Sequence, residues 1–178
     1  MKKLNLLIIE GSIRAQRRSI FAAKYLEKLA NQNQRFEVKL ICPEDYPSPH
    51  EGNDPDNKNP EYTKLTEWAD AFLLVLPEYN HSFAGSLKML LDTELANYLH
   101  KPVGFAGVSV GGFGGVRAIE SILSAVRQMG MVALSHDIHF SNSYGFFDQN
   151  TGEPIDDSKQ KEVEQVLSEL YWMAERLG

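Results

Sequence analysis

Residues 71–80 of the chain are AFLLVLPEYN, six apolar residues followed by a proline and a polar tail. An apolar run of this length is typical of a β-strand buried on both faces, as the strands of parallel sheets are. Pro77 ends the run because proline cannot donate a hydrogen bond to a neighbouring strand. The stretch therefore predicts a buried strand whose carboxyl end carries Glu78, Tyr79 and Asn80.

Strand and helix patterns alternate on either side of this run. Strand-like residues cover 4–9, 36–42 and 102–110, and a fifth strand is expected at 131–134 or at 136–140. Apolar residues at helical spacing follow each strand and predict helices that begin at Ser19 or cover 61–69, 83–99, 119–130 and 158–177. Such alternation predicts an α/β fold: a five-stranded parallel sheet with helices on both faces, in one domain over residues 1–178.

Composition excludes several classes of protein. The chain has 178 residues, 43% of them hydrophobic, and a net charge of −6, which is unlike the basic surface of a duplex nucleic-acid binder. No apolar stretch approaches membrane-spanning length. The apolar run near the N-terminus ends in Glu10 without a small-residue cleavage site, so no signal peptide is expected. We therefore expect a cytoplasmic protein that binds neither nucleic acid nor membrane.

The one cysteine, Cys42, excludes an intrachain disulfide and a cysteine-based metal site. It follows a strand-like run, which favours a buried, inert thiol over a reactive one.

Residues 43–60 hold five of the eight prolines and are expected to be an irregular loop. A loop of this length is either functional or a solvated connection, and its role stays open at this point.

The loop after the first strand, residues 11–19, gathers hydroxyls, backbone N–H groups and arginines before a helix N-terminus. Helix N-termini attract phosphate, and arginine adds charge-assisted hydrogen bonds to phosphate oxygens. The alternative is that Ser19 only caps the helix and the arginines are solvated. The loop matches neither the P-loop pattern nor the dinucleotide fingerprint.

Two more strand ends carry unusual residues, and ligands of doubly wound sheets bind at this edge. In residues 77–82, backbone N–H groups can reach the edge of a planar heterocycle and Tyr79 offers an apolar face with a polar tip. The alternative is an ordinary turn. In residues 109–117, four glycines permit close backbone approach before the next helix.

Together these loops resemble the NADPH-dependent FMN reductase family, which includes chromate, quinone and azo reductases. The resemblance covers most of residues 4–135. It is carried by Gly-Ser-Ile-Arg at 11–14, by Pro-Glu-Tyr-Asn at 77–80 with the helix after it, and by Gly-Gly-x-Gly-Gly-x-Arg-Ala at 111–118. The chain departs from the family pattern at Ala84, Met89 and Thr93 and in the later part of the first loop.

The resemblance implies a flavodoxin-like three-layer sandwich that binds FMN and takes electrons from NADPH or NADH. It implies that the FMN phosphate is held by Ser12, Arg14, Arg17, Ser19 and the backbone at Ile20. It implies that the isoalloxazine ring is bound by Pro77, Glu78, Tyr79 and Asn80, with Ser109, Gly111 and Gly112 on the other side. No side chain need act as acid or base, the acceptor is a small molecule, and a homodimer or dimer of dimers is expected.

Two other functions stay open at this point. A flavodoxin-like domain can be a non-enzymatic electron carrier or redox sensor, because fold alone does not give function. Residues 107–111 also match the Gly-x-Ser-x-Gly pattern of serine hydrolases, with Ser109 as nucleophile and Asp137 and His139 after it. The last two lie two residues apart in one strand-like segment, which is poor geometry for a catalytic triad.

Overall fold

Strand β3 (Ala71–Pro77) lies inside a parallel sheet, between β1 (Leu4–Glu10) and β4 (Pro102–Val108), in a computed structural model that describes residues 3–178. All seven residues of β3 and all seven of β4 are buried. Strand β2 (Phe36–Ile41) pairs with the other side of β1. The sequence prediction of a strand buried on both faces is confirmed for residues 71–77.

The fifth position of the sheet is shared by two short strands, so both alternatives from the sequence are present. Strand β5 (Val132–Ala133) pairs with the start of β4, and β6 (Ile138–Phe140) pairs with its end. The expected five strands are therefore six, in the order β2-β1-β3-β4-β5 with β6 also beside β4, and all the pairs are parallel. Between β5 and β6, over residues 134–137, the chain does not form a strand with β4.

Helices cover both faces of the sheet and make the expected three-layer α/β sandwich. Helices α1 (Ser19–Gln32) and α6 (Gln160–Leu177) pack on one face, against side chains such as Ile8 and Leu73. Helices α2 (Pro60–Trp68), α3 (Gly85–Leu91) and α4 (Val116–Gln128) pack on the other, against side chains such as Ile9 and Leu74. Alternate residues of each strand thus serve two separate cores.

Helix α3 is shorter than the sequence pattern predicts, because the expected helix over 83–99 ends at Leu91. Thr93 Oγ1 donates to the carbonyl of Leu90 over 2.8 Å, and the buried Glu94 receives Lys58 Nζ at 3.0 Å. The chain then forms a 3-10 turn at Ala96–Tyr98. These contacts draw residues 92–98 towards α2 and end the helix.

Helix boundaries elsewhere shift by a few residues. Pro60 belongs to α2 rather than to the preceding loop, because Asn59 Oδ1 accepts the N–H of Glu61 at 3.0 Å and caps the helix. The loop before it contains two 3-10 turns, Pro43–Asp45 and Pro55–Asn57, where the sequence predicts no regular structure. A short helix, α5 (Ser143–Phe146), has no counterpart in the prediction.

The strand order fixes where a ligand can bind. From β1 the chain adds β2 on one side of this strand and then crosses over to add β3 on the other side. The direction in which strands are added to the sheet therefore reverses between β1 and β3. The loops after these strands open a crevice at the carboxyl edge of the sheet. Within residues 3–178, no helix is long and apolar enough to cross a bilayer.

Candidate functional site

The loop after β1 is tied to the loop after β3 by a hydroxyl pair. Ser12 is buried, and its Oγ lies 2.9 Å from Tyr79 Oη and accepts the backbone N–H of Arg14 at 3.2 Å. One serine side chain thereby shapes its own loop and fixes the position of the tyrosine. The structure brings these two predicted site residues together.

The N-terminus of α1 carries no side-chain cap. Ser19 Oγ donates to Glu10 Oε1 instead, Arg18 at the cap position makes no capping hydrogen bond, and the first turn holds no acidic residue. The first N–H groups of a helix have no carbonyl partner within it, and they carry partial positive charge. Ser19 and Ile20 begin the helix at this edge, so the alternative in which Ser19 serves as the cap is wrong.

The three arginines of the first loop differ in their surroundings. Arg14 is exposed. The guanidinium of Arg18 lies 5.5 Å from the ring centroid of Tyr144. Arg17 is turned away from solvent, with Nε 2.9 Å from Glu10 Oε2 and Nη2 against Glu44 Oε1. Arg14 is therefore the exposed cation of this loop, whereas Arg18 is held by Tyr144, Phe21 and the carbonyl of Gln149 rather than by a carboxylate.

The loop after β3 is a tight turn held at both ends. Glu78 N–H donates to the carbonyl of Val108 over 3.0 Å, and the backbones of Tyr79 and Ser82 exchange two hydrogen bonds. Asn80 and His81 both have positive φ, 51° and 65°, the arrangement of a two-residue hairpin turn. Residues other than glycine rarely adopt a backbone conformation with positive φ, and those that do cluster at functional sites.

The Glu78 side chain leaves an acceptor at this turn. Its Oε1 lies 3.4 Å from Arg117 Nη1, whereas its Oε2 is buried without a hydrogen-bond partner among the described residues. A buried unpaired oxygen is costly unless a ligand supplies a donor.

Glycines let the loop after β4 pack closely. Gly115 has a φ of 77°, and a Cβ there would lie 2.5 Å from the backbone nitrogen of Val108. Gly111 and Gly112, in contrast, have open space where a Cβ would point. The loop is anchored by Ser109 N–H, which donates to the carbonyl of Phe140 over 3.1 Å. Gly111 and Gly112 thus leave backbone accessible to a ligand.

Ser109 and His139 do not form the hydrogen bond that a serine hydrolase needs between its nucleophile and its base. Ser109 Oγ donates to the carbonyl of Gly111 over 2.9 Å, and His139 Nδ1 lies 3.2 Å from the carbonyl of Gly114. Across residues 3–178, no hydrogen bond joins Ser109 to His139. The serine and the histidine are therefore each occupied by backbone rather than by one another.

The three loops line one open cleft of about 420 Å³, counting the solvent at its mouth. Seven predicted site residues line it: Arg14, Arg17, Ser19, Pro77, Glu78, Tyr79 and Ser109. The other five are not in its wall: Ser12 is buried behind Tyr79, Ile20 is in α1, and Asn80, Gly111 and Gly112 are exposed on the loops.

Residues that the sequence did not assign to the site also line the cleft. They are Gln16, Arg18, Val108, Val110, Ser143 and Tyr144. The last two follow β6, a strand too short to predict firmly, although its carboxyl end lies at the same edge of the sheet as those of the other strands. The sequence marks this segment by its aromatic residues Tyr144, Phe146 and Phe147, a pattern that does not by itself indicate a ligand site.

These groups fit a flavin mononucleotide. An uncapped helix N-terminus beside the exposed Arg14 suits a phosphate. The unpaired Glu78 Oε2 suits the single N–H of an oxidised isoalloxazine ring, and the open glycines allow a planar group to approach the backbone.

The cysteine lies next to this cleft, behind Arg17. Cys42 is buried, as predicted, and its Sγ is 3.7 Å from Arg17 Nη2. Burial raises the pKa of the thiol, which keeps it protonated and weakly nucleophilic.

Comparisons with known proteins identify the family of the chain. The sequence profile of the NADPH-dependent FMN reductase family matches residues 4–145. An NADPH azoreductase from Bacillus sp. is 32% identical over 124 residues, which are 67% of this chain and 66% of that protein. An NAD(P)H-dependent FMN reductase from Pseudomonas aeruginosa is 31% identical over 114 residues, 61% of each chain. This chain therefore spans just under two thirds of the length of these curated relatives.

Solved structures agree with the fold. FerB from Paracoccus denitrificans, a flavoenzyme NAD(P)H:(acceptor) oxidoreductase, superposes with a TM-score of 0.78 at 25% identity, covering 98% of this chain and 99% of that one. A Pseudomonas aeruginosa flavodoxin superposes with a TM-score of 0.60 at 15% identity, covering 97% and 99%, which confirms the flavodoxin-like fold. With its profile matched over most of its length, the chain belongs to the NADPH-dependent FMN reductase family, whose cofactor is FMN and whose electron donor is a reduced nicotinamide.

Proposed function

We propose that this chain is an NAD(P)H-dependent oxidoreductase that passes hydride from NADPH or NADH, through bound FMN, to a small acceptor such as a quinone, an azo compound, a flavin or a metal oxyanion. The observation that carries the proposal is the convergence of three loops and an uncapped helix N-terminus on one cleft. Membership in the FMN reductase family supports it.

The phosphate of FMN would lie at the N-terminus of α1. Ser12, Arg14, Arg17, Ser19 and the Ile20 N–H are the residues proposed to hold it. Arg18 joins this set because its guanidinium borders the same cleft. In the present arrangement the exposed Arg14 is free to approach the phosphate. Arg18 must first leave Gln149 and the rings of Phe21 and Tyr144, and Arg17 must loosen its ion pairs with Glu10 and Glu44.

The isoalloxazine ring would lie between the second and third loops. Pro77, Glu78, Tyr79 and Asn80 contribute backbone groups on one side, and Ser109, Gly111 and Gly112 lie on the other. The hydrogen bond from Glu78 N–H to Val108 joins β3 to β4 at the base of this slot. The unpaired Glu78 Oε2 is the acceptor proposed for the ring N–H.

When bound, FMN supplies the two-electron chemistry, so the chain needs no side chain that attacks the substrate. The residues around the cleft have three tasks: to bind the cofactor, to orient its ring, and to stabilise the negative charge of the reduced form. Backbone N–H groups at Asn80, Gly111 and Gly112 are the donors proposed to supply that positive potential. The open mouth of the cleft lets donor and acceptor use one site in turn.

Absorption spectroscopy tests this function directly. The protein is mixed with FMN, desalted, and treated with NADPH or NADH without oxygen. We expect retained flavin that bleaches in one two-electron step. Flavin that is retained but stays oxidised with both donors would refute the reductase and leave a non-enzymatic carrier. No retained flavin would refute the cleft as its site, and ester hydrolysis lost in Ser109→Ala would then support the hydrolase.

We further propose that the protein works as a homodimer or a dimer of dimers. Large apolar side chains are exposed at the rim of the third loop, Val110 and Phe113, and beyond α3, Leu95 and Leu99. Exposed apolar groups of this size favour contact with another subunit. Light scattering on the eluting protein measures the mass, and a monomer at all concentrations would contradict the proposal.

A further inference from the structure

A buried carboxylate lies behind the wall of the cleft, in contact with Arg17 and Ser19 at the N-terminus of α1. Glu10, the last residue of β1, has no exposed surface. Its Oε1 accepts Ser19 Oγ–H and, at 3.3 Å, the backbone N–H of Ser12. Its Oε2 lies 2.9 Å from Arg17 Nε. Glu10 therefore contacts three of the residues proposed to surround the phosphate.

Glu10 has one cation in contact with it, and the positive charge around it does not exceed the negative charge. Arg17, from the first loop, is the cation in contact, and it is shared with Glu44. The Sγ atom of Cys42, which follows β2, accepts a hydrogen bond from the same guanidinium. The thiol is protonated and therefore adds no negative charge. Asp45 lies just beyond it and accepts the N–H of Cys42, and Tyr79 reaches the cluster only through Ser12. One arginine thus balances two carboxylates and has no charge to spare for a phosphate.

We propose that Glu10 couples FMN binding to the uptake of one proton. A phosphate placed at the α1 N-terminus brings a second negative charge close to a carboxylate that water cannot reach. Like charges disfavour ionisation, so the carboxylate of Glu10 takes a proton from solvent and becomes a neutral carboxyl group. Arg17 then loses one of its two anionic partners and can turn to the phosphate. This inference rests on the phosphate site proposed above.

The sign of the pH dependence follows from linkage. Burial already raises the pKa of Glu10 in the free protein, and a bound phosphate raises it further. FMN binding therefore takes up a proton in the window between these two pKa values, and FMN affinity rises as the pH falls through that window. The second ionisation of the phosphate itself, with a pKa of about 6, acts in the opposite direction.

Glu10→Gln isolates this effect, because the amide keeps the acceptor for Ser19 and Ser12 but cannot carry charge. The dissociation constants of FMN and of riboflavin are measured across the pH range for both proteins. At alkaline pH we expect Glu10→Gln to bind FMN on the order of 10-fold more tightly than the native protein. The gap should close as the pH falls, while riboflavin, which lacks the phosphate, binds both proteins alike.

Glu44→Gln is the matched control. It removes the other carboxylate on Arg17, but Glu44 is half exposed, so solvent screens its charge at every pH. We expect any gain in FMN affinity from this change to be small and the same across the pH range. A gap between native protein and Glu10→Gln that does not change with pH, or that is equally large for riboflavin, overturns the proposal.

Calorimetry provides a second measurement that needs no variant. FMN binding to the native protein, in buffers of different ionisation enthalpy and over a range of pH, should show net proton uptake in the window between the two pKa values of Glu10, and riboflavin binding should show none. Proton release or no exchange with FMN overturns the coupling while leaving the flavin site intact. FMN that binds no better than riboflavin at any pH overturns the phosphate site itself, and the coupling with it.

Discussion

At the scale of single residues, the hydrogen bond between Ser12 and Tyr79 joins the phosphate loop to the turn proposed to hold the ring. Ser12→Ala removes this bond and also the acceptor for the Arg14 N–H. We expect the variant to bind FMN about 10-fold more weakly, since a lost partner of this kind costs about 1–3 kcal/mol. Quenching of flavin fluorescence on binding measures the affinity.

A double-mutant cycle with Tyr79→Phe shows whether the bond itself is responsible. If it is, the second substitution adds little once Ser12 is gone, and the coupling energy is at least about 0.5 kcal/mol. Ser82→Ala is the matched control, because this serine in the same turn bonds Ser121 over 2.7 Å instead. Fully additive effects of the two changes would contradict the role given to the bond.

Many residues of the site could be predicted from the sequence, but the hydrogen bonds and ion pairs between them could not. Ser12, Tyr79 and Ser109 follow strand ends, and the topology of a parallel sheet brings those ends together. For Glu10, the sequence pattern indicates only that it ends an apolar strand. Its burial depends on Arg17 and Ser19 folding back over it, and Arg17 in turn depends on Glu44. Such a network is set by tertiary contacts that no local pattern encodes.

At the scale of elements, the strands were more predictable than the helix ends. The run at 71–77 is apolar throughout, and burial on both faces requires just that. Helix α3 ends early because Glu94 contacts Thr63 and Lys58, which lie more than thirty positions away. The split edge of the sheet is equally non-local, since β5 and β6 each depend on a different part of β4.

The loop between β4 and α4 offers a test of close packing. Gly115→Ala would place a methyl group 2.5 Å from Val108 N in a left-handed conformation, with a φ of 77°. We expect it to lower the free energy of unfolding by about 2 kcal/mol or more. Gly111→Ala, where the space is open, should change stability little. Urea unfolding compares the two, and equal losses would contradict the packing described.

At the scale of the whole molecule, a pair of tyrosines makes stability depend on alkaline pH. Tyr62 of α2 and Tyr98 of the 3-10 turn are fully buried, with their hydroxyls 2.8 Å apart in the core between the sheet and α2, α3 and α4. Burial raises the pKa of both, so both stay neutral in the folded protein. In the unfolded chain they titrate at about 10.

The unfolded state therefore loses protons above that pH while the folded state keeps them, and the free energy of unfolding falls as the pH rises. Each tyrosine accounts for about 1.4 kcal/mol per pH unit until its folded pKa is reached. Replacing both tyrosines by phenylalanine removes the two hydroxyls together, so that neither is left unpaired. We expect the free energy of unfolding of this variant, measured with guanidinium, to fall less steeply as the pH rises. A decline as steep as that of the native protein would mean that other groups, such as the buried Tyr25 and the half-buried Tyr46, carry the dependence.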